Sequence, residues 1–182
     1  MDSVYYPEKA AWREGEPGTA RQPDSDRKDP VPITEFHRDL VVAADRTACW
    51  AVLTDVPRLV SWISIVGDAN ELAYLERYTA VLIDRMGPFK MRADLDISVD
   101  HVKENEHIHV RASGEDRGVG SRLAVDAVLS LEDSGLGTLI STSGTYEVVG
   151  KVATLGAGVI QKKATKIIDE FFENTADALG RA

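Results

Sequence analysis

From Phe89 to Asp100 the chain alternates almost without error. Phe89, Met91, Ala93, Leu95, Ile97 and Val99 fall on one side, and Lys90, Arg92, Asp94, Asp96, Ser98 and Asp100 on the other. A period of two with one apolar face is the mark of a half-buried antiparallel strand. HIHVRAS repeats it with Ile108, Val110 and Ala112 inward. SRLAVDAVLSLED repeats it with Leu123, Val125, Ala127, Leu129 and Leu131, and GTLISTSGTYEV with Ile140, Thr142, Gly144, Tyr146 and Val148. ERYTAVLIDRM precedes this series. The connections at Gly87-Pro88, KENE and DSGLG carry turn residues, so the series predicts consecutive hairpins.

The flanks follow a different period. FHRDLVVA reads as a strand ending at Ala44. DRTACWAVLTDV reads as a helix with Asp45 as N-cap and Cys49, Val52 and Leu53 on one face; Pro57 interrupts, and RLVSWI is a second short helix or turn. From Gly150 to the end the apolar residues Val152, Leu155, Val159, Ala164, Ile167, Ile168, Phe171, Phe172 and Leu179 recur every three or four positions, while Lys162, Lys163, Lys166, Asp169, Glu170 and Glu173 are placed in water. That spacing predicts one long amphipathic helix opening at Gly150. The expected architecture is α+β: one strand, two short helices, five or six strands, and a long C-terminal helix buried by a curved antiparallel sheet.

This helix opens oddly. Gly150, Ala153, Gly156, Ala157 and Gly158 crowd its start, although each interior glycine costs about 1 kcal/mol relative to alanine. Ala93, Ala112, Ala127 and Gly144 lie on the inward side of the predicted strands. Small residues on both surfaces leave two readings open: close approach of helix and sheet, or an apolar volume that a greasy ligand fills.

Charge narrows the partners. The 182 residues carry a formal net charge of −9, with 43% hydrophobic and 28% charged residues. An acidic balance argues against a nucleic-acid partner and disfavours simple adsorption to anionic lipid, though a local basic patch could still exist. The single cysteine, Cys49, excludes an internal disulfide and any multi-cysteine metal site, and it reads as a core residue. Residues 1–31 read as a disordered tail, with Tyr5, Tyr6 and Trp12 able to dock, ahead of one domain over 32–182. No signal peptide and no membrane-spanning run is legible, so a cytoplasmic protein is expected, with membrane contact at most peripheral.

Catalytic signals are sparse. His107 and His109 stand two apart on a strand with His101 nearby, but parity places both on the polar face with Arg111, so surface histidines are expected and no metal site. GEDRGVGSR lacks the Lys-Ser/Thr pair of a phosphate loop and reads as a hairpin tip. Asp84 is the polar exception: parity sets it inward with Tyr78, Ala80, Leu82 and Met86. A buried carboxylate must be paired or protonated, so Asp84 is the one candidate for acid–base chemistry or for holding a ligand oxygen, or else it pairs with Arg85 or Arg92. Thr142 and Tyr146 are the other inward hydrogen-bonding groups. Trp50 reads as core, Trp62 as cavity rim, and the apolar run LVSWISIV (59–66) either as an exposed docking patch or as packing under the sheet.

Three segments, in order, resemble the CoxG family of carbon monoxide dehydrogenase subunits, within the START-like helix-grip superfamily. They are ACWAVLTDVPRL, with Cys49-Trp50-Ala51-Val52-Leu53-Thr54-Asp55; MGPFK, Met86 to Lys90; and the closing segment with Gly150-Lys151, Leu155-Gly156 and Phe171-Phe172. The resemblance spans residues 34–179. It departs where the family has an Ile-Pro-Gly segment, since WISIVGDANEL stands there. The resemblance implies a bacterial protein with a hydrophobic cavity between sheet and helix. It implies a membrane quinone of the menaquinone type as ligand, and transient contact with a membrane or a redox enzyme. With inward parity, it makes Trp62, Leu82, Asp84, Met91, Ala93, Val110, Thr142, Tyr146, Leu155, Gly156, Val159 and Ile160 the expected ligand contacts. No cofactor is implied. The alternative within the same superfamily is an enzyme resembling polyketide cyclases or aromatases, using Asp84 and Tyr146.

Overall fold

The computed structural model describes residues 33–182; the tail assigned to residues 1–31 lies outside them. The chain runs β1 (Thr34–Val42), α1 (Arg46–Leu53), α2 (Val56–Ser61), β2 (Val66–Ala73), β3 (Arg77–Met86), β4 (Phe89–Lys103), β5 (His107–Asp116), β6 (Ser121–Ser134), β7 (Gly137–Gly150), a 3-10 turn (Lys151–Leu155) and α3 (Ala157–Leu179). The strands form one antiparallel sheet in the order β1-β7-β6-β5-β4-β3-β2. Only the β1–β7 pair joins distant parts of the chain. The inward residues read from the alternation lie on the side that α3 covers.

The two short helices start as their sequences dictate. Asp45 accepts the Ala48 N–H at 2.8 Å and Asp55 accepts the Arg58 N–H at 3.3 Å. Pro57 occupies the first turn of α2, where its missing N–H removes no helical hydrogen bond. The proline that interrupts α1 therefore begins α2. β2 was hidden inside WISIVGDANEL: it is an edge strand whose pairing slips between Gly67 and Asn70 and again between Glu71 and Ala73, with Asp68 at φ 50°. Such irregularities abolish the alternation by which strands are recognised.

The expected single helix from Gly150 is corrected. β7 continues through Gly150, a 3-10 turn follows, and α3 begins only at Ala157. Gly150 and Gly156 hold φ of 86° and 91°, which only glycine adopts without strain. A Cβ at Gly150 would also collide with the Gly120 carbonyl oxygen, whereas nothing lies within 4 Å of one built at Gly156 or Gly158. The glycines therefore serve to turn the chain out of the sheet. At Gly144 the close neighbour is the adjacent strand, since a Cβ there would meet the Asp126 carbonyl oxygen and Ala127.

Two hydrophobic clusters make up the core. One gathers Cys49, Trp50 and Leu53 of α1 with Ile108, Leu129, Leu131, Ile140 and the C-terminal half of α3, through Phe172 and Leu179. The other joins Ala80, Leu82, Met91, Ala93 and Leu95 to Val152 of the 3-10 turn. Burial pushes the Cys49 thiol up, as for an unreactive core cysteine.

Candidate ligand-binding site

The two clusters do not meet across the sheet. Between them lies an apolar cavity of about 450 Å³, within the range of small-molecule sites. Its floor is the concave face of the sheet, including Leu95, Val110, Ala112 and Val125; its roof is α3, and α2 with the following loop closes one side through Leu59, Val60, Ile63 and Ile65. The run 59–66 thus forms cavity wall. Two contacts hold it against α3: Glu170 accepts Ser64 Oγ–H at 3.0 Å and its N–H at 3.3 Å, and Asn174 Nδ2 donates to the Trp62 carbonyl at 3.0 Å.

Polar groups are few in this wall. Tyr78 is committed, its hydroxyl accepting the Leu75 N–H at 2.7 Å. Asp84 points inward, only 10% exposed, and its Oδ1 accepts Lys163 Nζ at 2.8 Å and the Arg85 N–H at 2.7 Å. Lys163, assigned to the solvent side by sequence, lines the cavity beside Asp84. Neither Arg85 nor Arg92 supplies the side-chain partner. An apolar chamber with one ion pair in its wall binds a greasy body and orients one polar end.

The structure brings together Leu82, Asp84, Met91, Val110, Tyr146 and Ile160 of the expected contacts around the cavity. The other six lie off it. Ala93 is sealed in the second core cluster beside Val152. Leu155 packs on the β3–β4 turn at Gly87. Thr142 leaves its hydroxyl oxygen buried without a partner among the described residues, and Gly156 is exposed at the start of α3. Trp62 stands behind the wall, edge-on to Phe171 at 6.2 Å with Arg58 over its ring. Val159 is 50% exposed. Reading one helix through Gly156 put Val159 in phase with Leu155; the break restarts the phase, and Ile160, Ala164, Ile167 and Phe171 face the cavity instead. Those last residues were visible in the helical spacing. Lys163 was missed because a lysine on a stripe edge reads as solvated.

On the opposite face of the sheet, His109 lies between two carboxylates, with Nδ1 2.6 Å from Asp100 and Nε2 2.8 Å from Asp126. Asp100 also meets Arg111 and His101. The hydrogen bond to Asp126 raises the His109 pKa most; burial opposes it and Asp100 adds to it. Asp100, His101 and His109 converge closely enough for a cation, yet both His109 nitrogens are engaged and Arg111 occupies Asp100.

A sheet wrapped around one long helix, with an apolar chamber between them, has counterparts among known proteins. Residues 39–180 match the family model for CoxG, a subunit of carbon monoxide dehydrogenase. The chain belongs to this family. No curated protein sequence matches it. Among solved structures, a conserved protein from Geobacillus kaustophilus superposes with a TM-score of 0.70 at 21% identity, over 81% of this chain and 95% of that one. The structure of Ara h 8.0201 gives 0.55 at 14%, over 82% and 100%. The di-domain ARO/CYC StfQ of the steffimycin biosynthetic pathway gives 0.57 at 10%, over 81% of this chain and 50% of that one. At these identities the likeness establishes the fold: a CoxG-family helix-grip domain. Among the described residues no helix is long and apolar enough to cross a membrane.

Proposed function

We propose that this CoxG-family protein carries a quinone-like or isoprenoid ligand in the cavity and exchanges it through transient contact with a membrane or a redox enzyme. The observation that supports this reading most directly is the Asp84–Lys163 pair in an otherwise apolar chamber. A quinone offers only acceptors and meets Lys163 Nζ–H. The corresponding quinol offers hydroxyl donors and meets the Asp84 carboxylate. One ion pair thus serves both redox states, while the apolar wall takes the ring and tail. The family name places CoxG beside a dehydrogenase, which fits a ligand that carries electrons.

Native mass spectrometry of the purified protein, with solvent extraction of what is released, tests the reading. A quinone or prenylated lipid coming off is the expected result. A protein that is empty and binds no added quinone sinks it.

A cyclase-like reaction is the second reading, favoured by the inward Asp84 and by the likeness to an ARO/CYC fold. Against it, both contacts of Asp84 are with donors, which sets the carboxylate as an acceptor and leaves a folding polyketide chain without a proton donor there. Turnover of a polyketide-like substrate that Asp84→Asn abolishes, with binding intact, would favour this second reading.

A further inference from the structure

The chain is acidic as a whole, but its free cations gather at one end. The β3–β4 turn, the β5–β6 turn, the end of β7 and the start of α3 meet there: Ser121 pairs with Gly150, the Lys151 N–H donates to the Gly120 carbonyl at 3.3 Å, and Leu155 packs on Gly87. Arg85, Lys90, Arg117, Lys151, Lys162 and Lys166 stand at this end, all exposed. Among the described residues none of the six forms an ion pair. The acids of the same segments are already engaged: Asp84 with Lys163, Glu115 with Arg122, and Asp116 with the N–H groups of Arg92 and Val119. Elsewhere the opposite holds, for Arg38, Arg46, Arg77, Lys103, Arg111 and Arg181 each meet a carboxylate.

Amid these cations lies an uncharged, exposed stretch, Gly156-Ala157-Gly158-Val159, with Val159 turned outward. We propose that this end docks on an anionic lipid surface, with the unpaired cations on the headgroups and the Gly156–Val159 segment entering the interface. The acidic remainder of the molecule is repelled by such a surface, so a single orientation results. The outcome places the helical turn carrying Ile160 and Lys163, both cavity-lining, next to the bilayer. An acidic protein face would also suit the cations, but it gives no use to an outward apolar segment at their centre. The inference gives a surface to the membrane contact of the proposed function, and its test involves no ligand, so either can fail alone.

Co-sedimentation of the ligand-free protein with vesicles distinguishes the outcomes. Vesicles of equimolar phosphatidylcholine and phosphatidylglycerol should bind it at low salt, release it at high salt, and outcompete phosphatidylcholine alone. Each cation removed should weaken binding roughly fivefold, so Lys162→Gln/Lys166→Gln should lose on the order of 25-fold. Arg46→Gln/Lys103→Gln, the same charge change at paired sites, should lose little. Val159→Asp should weaken binding further at unchanged secondary structure by circular dichroism. No binding to anionic vesicles, or equal loss in both double variants, overturns the proposal. So does binding to immobilised polyglutamate as tight as to vesicles with Val159→Asp silent, which would assign the face to an acidic protein.

Discussion

Lys163 Nζ lies 2.8 Å from Asp84 Oδ1, joining the middle of β3 to the second turn of α3 across the mouth of an apolar chamber. Removing one partner leaves the other facing that chamber alone. Lys163→Met should cost about 1–3 kcal/mol, because Asp84 is only 10% exposed. Asp84→Asn should cost less, because Lys163 at 28% exposure can turn its ammonium to water. The double variant Asp84→Leu/Lys163→Met should recover most of the loss. Chemical denaturation of the three variants checks the order, and a double loss equal to the sum of the singles would refute the coupling.

His109 makes stability depend on pH. Asp126 and Asp100 hold its pKa above the ordinary value in the folded protein. A raised folded pKa contributes stability that is fully present below the unfolded value, about 6.5, and lost as pH rises through the folded one. Melting temperature should therefore fall as pH goes from mildly acidic to mildly alkaline, and His109→Gln should flatten that fall. The same slope in both proteins would show that another group is responsible.

The glycines at the start of α3 should respond oppositely to alanine. Gly156 holds φ 91° and ψ 150°, so Gly156→Ala should destabilise by about 1–3 kcal/mol. Gly158 sits inside the helix with open space around it, so Gly158→Ala should stabilise by about 0.4–1 kcal/mol. Thermal melts of the two single variants decide it.

Glu170 ties the α2–β2 loop to α3 through Ser64. These contacts are exposed, so Glu170→Ala should change stability by less than about 1 kcal/mol while it speeds ligand release several-fold. Stopped-flow displacement of a bound quinone measures this. Unchanged release would place the exchange path elsewhere.

The cavity should accept bulk that a filled core would not. Val110 lines it, and Val110→Trp should leave stability within about 1 kcal/mol of the wild type rather than impose the overpacking penalty of a dense core. Quinone affinity should fall at least on the order of tenfold. Denaturation and ligand titration of the one variant test both halves.

What the sequence determined by itself was set by short-range periodicity. The alternation through β4 to β7 chose the inward face of the sheet, the Asp45 cap placed α1, and the stripe from Ala164 to Phe171 aimed the second half of α3 at the sheet. Parity alone turned Asp84 inward. Tertiary structure decided what depends on residues far apart. Asp84 met Lys163 rather than Arg85 because α3 crosses over the sheet and sets the long lysine stem above the carboxylate. The core divided into two clusters with space between them because packing distance is fixed by whole elements. The small residues of the sheet and the turn did not themselves reveal it. The same closure of hairpin ends and helix start brought cations distant in sequence to one surface, although the net charge had argued against any affinity for anionic lipid. Sequence records the sum of the charges; only folding fixes where each one stands.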